Sequence, residues 1–498
     1  GGFSMKENDT QQAFGNVDVD KIKKQPKQVR SEPGSRFFNL FHIKERGSTP
    51  AREILAGIIV FLAMIYILPV NSNILGAATG VENDPGVFVA TGLCSFICCM
   101  VMGLIAGYPV MLSAGMGMNA FIAFTVCGSL GYTWPQALVL ILVAGLLFLA
   151  MTLTPIREWI INAIPADIKK IISAGLGCFI AFVGLKGAGI VTSDASTLVT
   201  LGDFTNPSVL LALFGIILVF ILSNIDNKWV KQLSIAISVF ATAIVGLIMY
   251  YCFKACNSPI AATLPHFESF ADYGPVGMLE SFKKVFGQCF NANDWKVVFT
   301  NPKSIAVIFI LIFVNLFDTT ATLVAVGKDA GFMDEKGQLK GGNKAMIADA
   351  VGAVICAPLG TSTCTSFAES SVGIECGART GLSAVTTGFL FLISILLYPI
   401  FAIFSYSSVT CLALVSVGAI MVSSNFKEIN WDDKIMGATA FITVIMIILT
   451  YSISTGLGFG LILYCLMMLV SKRGKEVNVV MYVIAGFFVL NFIVNAIL

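Results

Sequence analysis

Charged residues are scarce in this chain of 498 residues, because Asp, Glu, Lys and Arg together make up only 12% of it, against 56% hydrophobic residues. A soluble globular domain carries about 25% charged residues. The mean hydropathy of +0.86 excludes an ordinary soluble fold and predicts an integral membrane protein. Because the net charge is only +2, no nucleic-acid partner is expected.

Histidine is nearly absent, and several sequence motifs of enzymes are missing. Both histidines, His42 and His266, lie outside the apolar segments, which argues against a histidine proton relay. The thirteen cysteines contain no CxxC pair, and the chain has no HExxH or P-loop motif. We therefore expect neither an enzyme nor a cofactor or metal. If protons move through this protein, a carboxylate is expected to carry them.

Long apolar segments recur along the chain, and each has the roughly 20 residues that a transmembrane helix needs. Two of the segments, 108–128 and 360–377, differ because glycine, serine and threonine replace leucine there. Counting these two, the sequence predicts an all-α polytopic membrane protein with about fourteen spans. The regular candidates begin near Glu53, Val87, Trp134, Asp167, Pro207, Lys231, Ser304, Lys344, Leu382, Val409, Ile435 and Gly456, and a last apolar stretch begins at Val479.

Basic residues cluster between alternate spans, which predicts the orientation. Residues 1–50 are polar, lack a signal peptide and are expected to be a disordered cytoplasmic tail. The predicted domains after the tail are a seven-span repeat over 51–252, an extracytoplasmic loop over 253–303 and a second repeat over 304–498. In that loop, Cys256 and Cys289 either pair or remain free. The basic residues on the N-terminal side are Arg157, Lys169, Lys170, Lys228, Lys231, Lys328, Lys336, Lys340, Lys344, Arg379, Lys427, Lys472, Arg473 and Lys475.

The two halves of the chain repeat one pattern. Arg52 and Asn119 are 67 residues apart, and Ser304 and Glu369 are 65 residues apart. An odd number of spans per half inverts one repeat relative to the other, so a 7+7 arrangement fits. Paired broken segments at matching positions indicate a transporter site at the bilayer midplane. We expect them to face each other, because lipid cannot satisfy their freed backbone groups.

Two carboxylates lie within these apolar regions. Asp318 is in IFVNLFDTTATL, and Glu369 is in GTSTCTSFAESSVG. An ionisable side chain at the centre of a membrane helix costs about 2.5–3.5 kcal/mol on insertion scales, which makes both residues candidates for substrate binding and proton coupling. The alternative is a structural carboxylate satisfied locally by Thr319, Thr320 or Ser370.

Further candidates for substrate binding surround these carboxylates. Asn119 offers a donor and an acceptor that suit the edge of a heterocycle, although a helix cap is an alternative role. Phe367 can stack on a base or simply pack against apolar neighbours. Gly117, Ser366 and Ser370 complete the candidate site.

Two other polar residues are interpreted differently. Asn315 lies three residues before Asp318, on the same helix face, and is expected to join its polar patch. Asp349 is placed near a cytoplasmic helix end, where its carboxylate can reach water, and is interpreted as structural.

Several strings resemble one known family, the AzgA-like hypoxanthine/guanine/adenine permeases of the nucleobase transporters. The resemblance covers Arg52 to the C-terminus and keeps the order and spacing of the motifs. The strings are EILAGIIVFLAMIYILPVNSNIL, GYPVMLSAGMGMNAFIAFTV, REWIINAIP, LFDTTATL and TSTCTSFAESSVGIECGARTGLSAVTTG.

The resemblance implies a core domain that holds the substrate, a gate domain and proton symport of purine bases. It also implies that Asn119, Asp318 and Glu369 form the purine site. This chain has Asn315 where the family usually has aspartate, and Ala321 where it usually has glycine, so substrate preference or proton coupling is expected to differ. By analogy with such transporters, a homodimer is expected. The expected location is a plasma membrane or a bacterial inner membrane. The alternatives are a facilitative or channel-like carrier for uracil, xanthine or a small anion.

Overall fold

A computed structural model describes residues 41–154, 165–267, 274–332, 339 and 341–497. The first forty residues and the basic residues Arg157, Lys336 and Lys340 lie outside this part. Residues 41–47 form turns in which Phe41 and Ile43 are buried. The predicted tail over 1–50 therefore includes this turn, and its disorder stays a prediction.

The first half contains helices of very different length and three short strands. A two-stranded hairpin of β2 (Val191–Asp194) and β3 (Leu198–Leu201) joins two of the helices. The remaining elements are α1 (Pro50–Met64), α2 (Ile67–Thr79), α3 (Pro85–Val101, continued by a π-turn over Met102–Ala106), β1 (Leu112–Ala114), α4 (Met116–Ala120, continued as a π-helix over Phe121–Ser129), α5 (Trp134–Thr152), α6 (Ala166–Gly187), α7 (Pro207–Ser223), α8 (Lys228–Gln232) and α9 (Ser234–Ala255).

The second half repeats the long helices around another short strand. Its elements are α12 (Lys303–Asp329), α13 (Gly342–Leu359), β4 (Cys364–Ser366), α14 (Ser370–Glu375), α15 (Gly381–Ile395), α16 (Tyr398–Phe401, followed by a 3-10 turn over Ala402–Phe404), α17 (Ser407–Phe426), α18 (Lys434–Leu449), α19 (Ile453–Val470) and α20 (Val479–Ile497). Within the described residues, seven helices are long and apolar enough to cross a membrane, or eight if the bent pair α15 and α16 is one span. The helical membrane fold is confirmed, and the count of fourteen stays a prediction.

The loop over 253–303 is folded. It contains a 3-10 turn at Pro259–Thr263, α10 (Pro275–Val285), a 3-10 turn at Gln288–Phe290 and α11 (Ala292–Thr300). Helix α10 packs on α3, and α11 packs on α5. Cys256 is exposed and Cys289 is buried, and both are free thiols. The two cysteines are thus not paired in this structure.

The helices pack in two groups, and each group draws on both halves of the chain. Helices α1, α3, α5, α12, α13 and α15 form the first group, and helices α6, α7, α9 and α17–α20 form the second. In the second group, α6 crosses α17 so closely that a Cβ at Gly177 would lie 2.8 Å from the Gly418 carbonyl oxygen. This interleaving of halves corresponds to the expected core and gate domains.

Candidate functional site

The two broken segments meet as a two-stranded antiparallel sheet. Strands β1 and β4 pair in the register Ser113 to Thr365, and the Gly115 amide extends the pairing by donating to the Thr363 carbonyl oxygen over 2.9 Å. The strands satisfy each other's backbone groups, which the membrane interior cannot do. The prediction that these segments face each other is confirmed.

Glu369 lies between β4 and α14 and is half-buried beside the exposed Ala368. Its Oε1 accepts a 2.7 Å hydrogen bond from the hydroxyl of Tyr66, which is fully buried. Tyr66 lies at the break between α1 and α2. Pro69 causes this break, because it has no N–H to donate to the Ile65 carbonyl oxygen. The site therefore contains a tyrosine that the sequence analysis missed, although Pro69 marked the irregular turn.

Asp318 lies on α12 and is also half-buried. Helix α12 packs against α14, and Asp318 lies close enough to Glu369 and Asp349 to interact with their charges. Three carboxylates from three elements therefore converge. Such a group of acidic side chains in an apolar environment is a strong indication of a functional site.

Asp349 lies on α13 and is fully buried, so the prediction that it reaches water is wrong. Its Oδ2 accepts a 2.7 Å hydrogen bond from Thr319, and its Oδ1 accepts a 2.8 Å hydrogen bond from Ser366. These bonds connect α12 and β4 through α13. Ser366, a predicted substrate ligand, thus holds Asp349 in this conformation, and its contact with substrate stays a prediction.

The three hydroxyl groups that were candidates to satisfy Glu369 or Asp318 locally form hydrogen bonds to other groups. Thr319 donates to Asp349, and Thr320 donates to the Leu316 carbonyl oxygen. The Ser370 hydroxyl accepts from the Met111 amide over 3.0 Å, which connects the two broken segments. Ser370 therefore supports the strand pairing.

Asn119 is fully buried inside α4. Its backbone amide donates to the Gly115 carbonyl oxygen over 2.9 Å, so Asn119 belongs to the helix and does not cap it. Its Oδ1 accepts a hydrogen bond from Ser362, which connects it to the second broken segment. The alternative of a helix cap is wrong, and the prediction of base binding stays open.

Phe367 and Gly117 lie at packed positions. Phe367 is buried, and its amide donates to the Met111 carbonyl oxygen over 3.0 Å. A Cβ at Gly117 would lie 2.6 Å from a methyl carbon of Leu176 on α6, so this glycine permits the first broken segment to approach the second helix group. Their contacts with substrate stay predictions.

Asn315 is buried, and its Oδ1 has no hydrogen-bond partner among the described residues. The side chain lines a small cavity between α5, α12 and α13, together with Gly145, Ala353 and Thr363. Asn315 therefore lies one helical turn from Asp318, with an amide oxygen that lacks a partner among the residues described.

Comparison with known proteins identifies the family. A model of the permease family (Xan_ur_permease) matches residues 51–459. The chain belongs to this family. It is 40% identical to the guanine/hypoxanthine permease PbuG of Bacillus subtilis over 91% of this chain and 98% of that protein. It is 34% identical to the adenine permease AdeQ of Escherichia coli over 93% of this chain and 98% of that protein. The resemblance to AzgA-like purine permeases is confirmed, and the chain is a multi-pass membrane permease, not an enzyme.

Solved structures of low sequence identity show the same fold. The transmembrane domain of the cyanobacterial bicarbonate transporter BicA superposes with a TM-score of 0.56 at 15% identity, covering 81% of this chain and 97% of that domain. The murine anion transporter Slc26a9 in its inward-facing state gives a TM-score of 0.55 at 10% identity, covering 91% of this chain and 75% of that one. The predicted fold class, with its inverted repeat and paired broken segments, is confirmed.

Proposed function

We propose that this permease imports adenine, guanine and hypoxanthine by proton symport with alternating access. The observation that carries the proposal is the convergence of Glu369 and Asp318, both half-buried, where the two broken segments meet. The relatives named as guanine/hypoxanthine and adenine permeases support purines as the substrate class.

Glu369 is the proposed ligand for the base. A carboxylate accepts hydrogen bonds from two N–H groups, and purine bases present N–H groups along their edges. The bond from Tyr66 fixes one oxygen of Glu369, and the exposed Ala368 beside it leaves an approach open. Asn119 and Phe367 complete the proposed contacts, with Gly117, Ser366 and Ser370 shaping the segments around them.

Asp318 is the proposed carrier of the coupling proton, with Glu369 as its partner. Three neighbouring carboxylates repel one another, and a proton bound among them relieves that repulsion. A carboxylate-rich site favours a neutral base that carries N–H groups over a small anion, although the solved structures of similar fold are anion transporters.

Alternating access is proposed as a movement of the two helix groups against each other. Gly117 of the first broken segment contacts Leu176 of α6, so the site lies beside the second group. The N-terminus is proposed to be cytoplasmic, because the basic residues between alternate predicted spans fit the positive-inside pattern. A homodimer is proposed by analogy alone.

Uptake of radiolabelled purines in a host that lacks purine uptake tests this function. We expect concentrative purine uptake that a protonophore abolishes. Asp318→Asn should lose concentrative uptake yet keep exchange of labelled for unlabelled base, which moves no net charge, whereas Glu369→Gln should lose both. Glu280→Gln, at an exposed position on α10, is the matched control. Uptake of uracil, xanthine or an anion without purine uptake would overturn the proposal.

A further inference from the structure

We propose that Cys94, Cys98, Cys356 and Cys364 form a zinc site behind the substrate site. Cys94 and Cys98 are four residues apart on α3, Cys356 lies on α13, and Cys364 is the first residue of β4. All four are fully buried and free of disulfide bonds. Cys94 and Cys98 are separated by three residues, as in one half of many zinc motifs, whereas Cys356 and Cys364 are separated by seven, so the chain carries no complete zinc motif.

The distances between the sulfur atoms suit a metal ion. The Sγ atoms of Cys94, Cys98 and Cys364 all lie within 4.8 Å of one another. The Sγ of Cys94 is 3.7 Å from that of Cys98 and 3.6 Å from that of Cys356. A tetrahedral zinc ion with Zn–S bonds of about 2.3 Å places its sulfur ligands about 3.8 Å apart. Three of the four sulfur atoms are therefore already spaced to surround the ion, and the Sγ of Cys356 adjoins them through its contact with Cys94.

Cys356 is the proposed fourth ligand, and its sulfur forms two hydrogen bonds to the backbone in this structure. Its Sγ donates to the Gly352 carbonyl oxygen over 2.7 Å and accepts from the Cys364 amide over 3.0 Å. Metal binding would release the bond to Gly352 and draw the sulfur toward the other three. The amide of Cys364 can remain a donor to the thiolate, as outer-shell groups commonly do for metal ligands.

The chemistry favours a soft metal that binds thiolates. Zinc binding to four thiols releases four protons to solvent and leaves a tetrathiolate complex of net charge −2. The surrounding side chains, such as Met102, Leu112 and Ile374, are apolar and exclude water. They supply no hard oxygen ligands of the kind that magnesium or calcium prefers.

The consequence of such a site is structural. Cys364 lies two residues before Ser366, which donates to Asp349. A metal ion held by α3, α13 and β4 would fix β4 beside the acidic site, so that the second broken segment holds its position while the helix groups move. This inference rests on the thiol geometry and does not depend on the proposed substrate.

Metal analysis of the purified full-length permease tests the site. We expect about one zinc ion per chain that survives exhaustive exchange against EDTA. The double variant Cys94→Ser/Cys364→Ser should lose it. The matched control Cys99→Ser should keep it, because Cys99 is a buried thiol of the same helix that bonds to the Leu112 backbone instead. Zinc retained equally by the double variant would show an adventitious ion and overturn the proposal.

A second measurement avoids variants that fail to fold. The wild-type protein, stripped of metal under reducing conditions, is titrated with Co²⁺ and followed by absorption spectroscopy. The intense thiolate-to-cobalt charge-transfer bands and the d–d bands of tetrahedral coordination are expected to saturate at about one equivalent. If these bands are absent, and zinc is absent from the untreated protein, the cluster is a set of hydrogen-bonded thiols and the proposal is wrong. Purine uptake is scored separately, so failure of the transport proposal leaves this result unaffected.

Discussion

The hydroxyl of Tyr66 donates a 2.7 Å hydrogen bond to Oε1 of Glu369 across 303 positions of sequence. The bond joins the break between α1 and α2 to the second broken segment. Two irregular regions of backbone therefore meet at one carboxylate. This contact gives each half of the chain a direct part in positioning the proposed base ligand.

Removing the tyrosine hydroxyl should weaken purine transport. A hydrogen bond to a charged group contributes about 1.5–3 kcal/mol, so Tyr66→Phe should lower kcat/KM for uptake by about 10-fold to 100-fold. Initial uptake rates at several purine concentrations measure the effect. Tyr132→Phe is the control, because it removes a comparable buried hydroxyl that contacts Ser304 instead. Equal losses in both variants would show a general effect on folding.

Removing the buried carboxylate of Asp349 should destabilise the fold. Asp349→Ala leaves the hydroxyls of Thr319 and Ser366 without their acceptor, which should cost about 2–5 kcal/mol. Asp349→Asn keeps one acceptor oxygen and should lose less. Thermal unfolding of the purified variants in detergent measures the order. An alanine variant as stable as the wild type would contradict this role.

Replacing Asn315 by aspartate should strengthen proton coupling. Asn315→Asp places a fourth carboxylate one helical turn from Asp318, where the amide oxygen now lacks a partner among the described residues. We expect a higher steady-state ratio of internal to external radiolabelled purine than in the wild type. Asn71→Asp is the matched control, because Asn71 is equally buried and its Oδ1 also lacks a partner in the described part of the chain. The same change in purine accumulation in both variants would contradict the proposed role of position 315 in proton coupling.

An ion pair outside the spans should make stability depend weakly on pH. The hydrogen bond from Arg473, 2.9 Å long, lowers the pKa of Asp433 at the start of α18. A depressed folded-state pKa adds stability above the unfolded value of about 3.9, and that stability is lost as pH falls through the folded value. Because the pair is partly exposed and screened by solvent, Arg473→Gln should lower stability only slightly at pH 7. Melting curves from pH 7 to pH 3 should show the difference between wild type and variant shrinking.

Thiol labelling should report the orientation of the loop over 253–303. Cys256 is exposed in this loop, whereas Cys289 is buried. If the loop is extracytoplasmic, a membrane-impermeant maleimide should label Cys256 in intact cells. Because Cys252 is also exposed, the experiment uses a Cys252→Ser background, with the further change Cys256→Ser as the control. Labelling only after permeabilisation would reverse the proposed topology.

The sequence predicted those features that depend on local composition. Glycine, serine and threonine in apolar surroundings marked both broken segments, and carboxylates in the same surroundings marked Asp318 and Glu369, because each feature is costly in a plain membrane helix. These assignments needed no knowledge of which segments are neighbours.

Residues whose roles depend on distant partners were missed or placed wrongly. Asp349 was expected to reach water because its position along the helix was judged alone, yet Thr319 and Ser366 enclose it from two other elements. Tyr66 was missed because its partner is in the other half of the chain.

The sequence by itself determined the membrane class, the broken segments and the acidic candidates, since hydropathy and backbone chemistry act at each residue. Only the tertiary structure decided which polar groups share a site and how the four cysteines of the proposed zinc site come together. The physical reason is that the pairing of β1 with β4 joins segments about 250 residues apart, and no local pattern encodes the geometry of that contact.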